Sequence, residues 1–141
     1  MKTILLFSVL LTLFSSCEKE KIILESKAPS QIKSYISEHF SGFEIVQIVE
    51  DRDGFELTYD VWLEGSYFLE FNRKKEIKEV SGLNELPDSV LPVELLLFVK
   101  TNYSDSYVSG WELDDRNQNL KLNNGLDLVF NKQGNFLRID D

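Results

Sequence analysis

The chain has 141 residues, with 15 basic against 24 acidic side chains and a formal net charge of −9. Its apolar content is 43%, with ten Phe, which is enough for a packed core and excludes a wholly disordered chain. The acidic balance leaves no basic stripe to neutralise phosphates, so no nucleic acid partner is expected, and one His with one Cys excludes a Cys/His zinc site and any internal disulfide.

The chain opens MKTILLFSVLLTLFSSC. Lys2 gives a short positive region, and Ile4–Phe14 is an apolar run too short to cross a bilayer core of about 30 Å. That combination predicts a secretory signal rather than part of the fold. Ser15 and Ser16 then precede Cys17. The arrangement resembles the lipobox of bacterial lipoproteins, in which a signal peptidase cuts before a Cys that becomes acylated. Phe14 departs from the Leu, Val or Ile usual three residues before that Cys. The resemblance implies a leader over residues 1–16 and lipidation at Cys17, which would be the membrane contact. Each buried CH₂ contributes about 0.8 kcal/mol, so several acyl chains hold a protein durably. Residues 17–25, with the charged Glu18–Lys21, are expected to be a solvated tether.

Two helices follow the same template. Ala28–Phe40 (APSQIKSYISEHF) aligns without gaps on Leu91–Tyr103 (LPVELLLFVKTNY), with Pro92 63 residues after Pro29. Ile32, Tyr35, Ile36 and Phe40 match Leu95, Phe98, Val99 and Tyr103. The spacing i, i+3, i+4 and i+8 makes a helical apolar stripe. Pro at the opening turn is tolerated because its missing N–H has no helical partner there.

Strands come next in each half. Phe43–Glu50 and Tyr107–Leu113 are the first of each. In the second strand, Phe55, Leu57, Tyr59, Val61 and Leu63 alternate with Glu56, Thr58, Asp60, Trp62 and Glu64, which predicts one buried face. Leu120 and Leu122 alternate similarly, and Asn124-Gly125 signals a hairpin turn. Ser66–Ile77 then aligns on Gly125–Phe136, with Phe71-Asn72 meeting Phe130-Asn131 at an offset of 59. The fall from 63 to 59 places four extra residues in the first half's middle hairpin, where insertion costs little.

The expected fold class is therefore α+β: two tandem units, each one helix plus a four-stranded antiparallel sheet, over residues 26–80 and 91–141, joined by a linker at 81–90. The paired Leu86-Pro87/Pro92 helix entry, the aromatic-Ser helix exits (Phe40-Ser41, Tyr103-Ser104) and the repeated Phe-Asn turn carry a likeness across residues 26–141. The chain resembles the PepSY-like proteins of Gram-negative bacteria, which are related in fold to the β-lactamase inhibitor protein. The resemblance implies a non-enzymatic binding or inhibitory role with no catalytic residues, on a concave surface made by the sheets of two units. The chain lacks the paired cysteines of that inhibitor, so inhibition of a β-lactamase does not carry over.

Catalytic and metal patterns are weak. His39, the sole His, is expected to be a surface or capping residue near a helix C-terminus. Asp115–Asn119 starts like a calcium loop but has Leu120 and Leu126 where Gly and Glu are needed. Both it and Asp51–Gly54 read as hairpin turns, so no metal and no cofactor is expected. Asp88-Ser89-Val90 fits the Asp-Ser/Thr-aliphatic pattern of some bacterial O-glycosylation systems, or caps the next helix. Trp62 and Phe68 stand out, because both fall on the nominally solvated side of their strands. The expected site is an outer sheet face of Glu56, Thr58, Asp60, Trp62, Phe68 and Glu70, meeting an unknown protein or peptide partner. The expected function is a lipid-anchored, non-enzymatic binding module of a Gram-negative cell envelope, periplasmic or surface-exposed at the outer membrane. The alternative is a structural or assembly lipoprotein of an envelope complex.

Overall fold

A computed structural model describes residues 19–140. The leader reading and Cys17 lie outside the described residues. In chain order come β1 (Lys21–Ile22), a 3₁₀ turn (Glu25–Lys27), α1 (Ser30–His39), β2 (Ile45–Asp53), β3 (Glu56–Leu63), β4 (Tyr67–Phe71) and β5 (Ile77–Gly82). A second series follows: α2 (Val93–Asn102), β6 (Val108–Leu113), β7 (Asn117–Leu122), β8 (Asp127–Asn131) and β9 (Phe136–Asp140). The class is α+β. All nine strands form one antiparallel sheet in sequence order.

The helices begin where the sequence places them. Pro29 and Pro92 occupy the N-caps, and the N–H groups of Phe40 and Tyr103 close the last turns on Ile36 and Val99, both at 2.8 Å. The stripe residues Ile32, Ile36, Leu95 and Val99 are buried against one sheet face with Val61, Leu69, Phe71, Leu120, Leu128 and Phe130. Tyr35 meets Phe71 edge-on, and Phe98 meets Phe130 the same way. Both helices therefore cover the same side and leave the other side of the sheet open.

The two halves share their irregularities. Register shifts fall between Ile45 and Gln47 in the β2–β3 pair and between Val108 and Gly110 in the β6–β7 pair. They recur between Glu70 and Phe71 and between Val129 and Phe130 in the β4–β5 and β8–β9 pairs. Asn72 Oδ1 accepts from the N–H groups of Lys74 and Glu76, and Asn131 Oδ1 accepts from those of Gln133 and Asn135. These are matching Asx turns. The four extra residues do lie in the β2–β3 hairpin. Its ladder runs three rungs past Glu50–Tyr59, to Asp53–Glu56, whereas the β6–β7 ladder stops at Leu113–Gln118.

Four expectations change. The first strand is Ile45–Asp53, not Phe43–Glu50: the hairpin turn lies further along, at Gly54-Phe55, and the Phe43 ring packs against Tyr67 instead. Phe55, expected on the buried face, sits in the β2–β3 turn and is 99% exposed, because the core ends before the overhanging rungs. Lys21–Ile22, expected within a tether, pair with Glu50 and Val49 as an edge strand, although both remain exposed. The linker does not separate two sheets. Beside it, β5 and β6 pair through Glu79–Glu112, Val80–Trp111 and Ser81–Gly110, so Val80 and Trp111 carry the core across the middle.

Candidate functional site

Strands pair across the sheet about 4.8 Å apart, so residues in register form rows on the open face. One row reads Val49, Asp60, Glu70, Glu79, Glu112, Asn119, Val129 and Arg138. Four consecutive members are carboxylates. Like charges directly opposite one another are destabilising, so packing alone gives no reason for this row. The next row places Trp62 opposite Phe68, then Ser81, Gly110, Lys121 and Asp127.

Trp62 and Phe68 lie with ring centroids 5.3 Å apart, and Trp62 is 38% exposed. They stand opposite the helices and cover each other, not the core. The period of two forces this: Val61 and Leu63 point inward, so Trp62 points out. Beside the aromatic pair the surface falls away. Ser81 and Gly110 have little or no side chain, and a Cβ on Gly110 would meet Lys121 Cβ at 3.2 Å. A depression of about 490 Å³ opens there, with Glu79, Glu112, Lys121 and Asp127 in its lining.

The carboxylates feel their crowding. Burial first, then the charges of Glu70 and Asp51, pushes the Asp60 carboxyl up to about 6, against a pull-down from a Thr58 hydrogen bond. One buried oxygen of Asp60 has no hydrogen-bond partner. Burial, with Glu112 and Glu70, raises Glu79 in the same direction. Glu70 has a cation at hand, Lys78 Nζ at 3.7 Å. Among the described residues, no group of three His, Cys, Asp or Glu side chains converges so as to hold a metal ion.

Of the expected site residues, Asp60, Trp62, Phe68 and Glu70 come together as two facing pairs. Thr58 flanks Asp60 toward the hairpin tip. Glu56 lies farther out, opposite Asp53 on the last rung, away from the aromatic pair. Glu79 and Glu112, which complete the acid row, escape the sequence reading. Both lie on expected strands, but only the β5–β6 pairing sets them side by side. His39 is less exposed than a surface residue. Its side chain is only 15% exposed, packs at a tilt against the Tyr35 ring with centroids 4.4 Å apart, and bonds through Nδ1 to the Ser89 hydroxyl at 2.9 Å. It is the last residue of α1, at the helix C-terminus as expected, and its ring also ties the helix to the linker. Asp88 pairs with Lys100, and neither Asp88 nor Ser89 caps α2, whose N-cap is Pro92.

The family model described as "Putative beta-lactamase-inhibitor-like, PepSY-like" matches residues 57–138, more than half of the chain. The chain belongs to the PepSY-like family. Three crystal structures of Bacteroides proteins resemble this PepSY-like chain closely. A "putative calcium-regulated periplasmic protein" from Bacteroides thetaiotaomicron is 27% identical with a TM-score of 0.82, covering 86% of this chain and 97% of its own. A "putative periplasmic protein" of the DUF2874 family from Bacteroides vulgatus is 29% identical, with a TM-score of 0.81 and the same coverage of both chains. A second Bacteroides vulgatus protein, described as periplasmic and "of unknown function", is 28% identical with a TM-score of 0.81, covering 87% of this chain and 100% of its own. No curated protein matches the sequence.

Proposed function

We infer that this PepSY-like protein is a lipid-anchored binding module of the cell envelope, built as a tandem duplication of one helix-plus-four-strand unit. Its outer sheet face captures a protein or peptide partner that presents basic side chains beside an apolar anchor. The carrying observation is the facing Trp62–Phe68 pair, half-exposed where a solvated strand side would carry polar groups. Exposed paired aromatics are the residue types that dominate interface energetics. The adjoining acid row supplies charge complementarity, which guides orientation and partner choice. The matched register shifts and Asx turns support duplication. The periplasmic relatives and the lipobox-like Cys17 support the envelope location. Calcium regulation, ascribed to one relative, stays outside this reading, since its proposed contacts are ion pairs and ring packing.

The test is capture from solubilised envelope by the full chain produced in a Gram-negative host. The double variant Trp62→Ala/Phe68→Ala should keep its urea midpoint and lose the partner by about 30-fold or more, as expected of anchors worth about 2 kcal/mol. Undiminished capture overturns the site. A partner retained by the double variant favours the alternative, an assembly lipoprotein engaged through edge strand β9, where Phe136, Leu137 and Ile139 are exposed.

A further inference from the structure

We propose that the sheet edge carrying the β2–β3 tip is a membrane-docking edge that rests on a bilayer with anionic headgroups, with Phe55 as its apolar contact. This rests on the lipid-anchor reading and adds a defined orientation to it. The Lys19 N–H donates to the Arg52 carbonyl at 3.2 Å, and the Arg52 N–H donates to the Lys19 carbonyl at 3.3 Å. Followed back toward Cys17, the chain thus runs beside β2 to the hairpin tip. Cys17 stands two residues before Lys19 in the sequence, and two peptide units reach at most about 7 Å. An acyl group on Cys17 would therefore be attached two residues before the segment that pairs beside the Asp53–Glu56 turn.

That turn holds the most exposed apolar side chain of the described residues. Phe55 is 99% exposed and packs on nothing, at the end of the rungs that the second half lacks. Phe is a residue type that settles into the headgroup boundary. The antiparallel strand order brings the β4–β5, β6–β7 and β8–β9 turns to the same edge. The β4–β5 turn carries Arg73, Lys74 and Lys75 in succession, unusual in a chain of net charge −9. Arg73 and Lys74 are exposed, and among the described residues neither takes part in an ion pair within 4 Å. Lys132 adds a cation from the β8–β9 turn. Such cations are drawn to an anionic membrane surface. Acids on the edge, Asp53, Glu56 and Asp115 among them, keep this attraction moderate. The acyl chains hold the protein, and the edge sets its tilt. Trp62 lies seven residues along β3 from Phe55, so at about 3.3 Å per residue the aromatic pair stands about 23 Å away from the bilayer.

The experiment uses the full chain from a Gram-negative host, reconstituted in vesicles of phosphatidylethanolamine and phosphatidylglycerol. Mass analysis of the N-terminal peptide first establishes whether Cys17 is acylated. Acylation leaves an introduced Cys as the free thiol for a nitroxide label, at Phe55→Cys or, at the far edge, Leu83→Cys. At 55, vesicle binding should raise collisions with oxygen and lower collisions with a water-soluble nickel chelate several-fold; at 83 neither should change. Adding Arg73→Glu/Lys74→Glu should shrink the contrast at 55. Acylated protein whose two labels are equally water-accessible overturns the docking edge and leaves the anchor standing. A label at 55 shielded from both oxygen and nickel means protein, not lipid, covers the tip, and overturns it as well. An unacylated Cys17 overturns the anchor reading itself, and the docking edge with it.

Discussion

The two helix-plus-four-strand halves agree inside and differ outside. Ile32, Ile36 and Phe71 are buried in the first half where Leu95, Val99 and Phe130 are buried in the second. On the open face, Asp60, Trp62, Phe68, Glu70 and Glu79 stand where the other half has Asn119, Lys121, Asp127, Val129 and Arg138. Inner positions answer to close packing, in which one methylene is felt. Outer positions do not meet the helices, so they are freer to specialise, although Val129 is itself buried by its neighbours on the open face. One half-buried position also differs. Tyr35 keeps a hydroxyl with no hydrogen-bond partner where Phe98 has none to satisfy.

The sharpest way to break this comparison is at the matched core rings. Phe71→Ala and Phe130→Ala should each cost about 3–5 kcal/mol, and each should leave a single urea transition. Two separated transitions would mean that Val80 and Trp111 do not join the halves into one core. Next in size is Asp60→Asn, which gives the first half the residue type of Asn119. Folding raises the Asp60 carboxyl from 3.8 to about 6, so it favours the protonated form. That stabilisation is full below about pH 3.8 and is lost as pH rises through about 6. The variant should flatten the dependence of the urea midpoint between about pH 4 and pH 7. At neutral pH it should add on the order of 1 kcal/mol, a figure reduced for the solvent screening of a half-exposed group. A slope that survives would place the titration elsewhere. An effect of similar size concerns the matched Asx turns. Lys75 sits at φ 65° where Gly134 sits at φ 82°. Lys75→Gly should stabilise by about 1 kcal/mol. Gly134→Ala should cost more, because its Cβ would also lie 2.8 Å from Glu94 Cβ. Equal and small effects at both turns would show that backbone strain there is relieved by local adjustment.

Much of this was legible in the residues. The gapless alignment of Ala28–Phe40 on Leu91–Tyr103 located both helices and their Pro starts. The alternation through β3 and β4 placed Trp62 and Phe68 opposite the core, because a strand's period of two leaves no other choice. The turn readings of Asp115–Asn119 and Asp51–Gly54 agree only in part: Asp114 Oδ1 accepts from the N–H groups of Arg116 and Asn117, but Asn117–Asn119 already belong to β7 and Asp51–Asp53 to β2. Phe55 was misplaced because alternation says nothing about where the covering helix ends. The His39–Ser89 bond spans fifty residues, and no local pattern carries it.

The sequence by itself determined the local periods, both helices and their Pro starts, and the inward sides of β3, β4 and β7. These follow from backbone geometry and apolar spacing, which act over a few residues. Only the tertiary structure decided that β5 pairs with β6, and hence that Glu79 and Glu112 extend the acid row of Asp60 and Glu70 across the middle of one sheet. It alone also laid the N-terminal strand along β2 toward the hairpin tip. Strand pairing between distant segments depends on the sum of many contacts over the whole sheet, and no single stretch of chain encodes that sum.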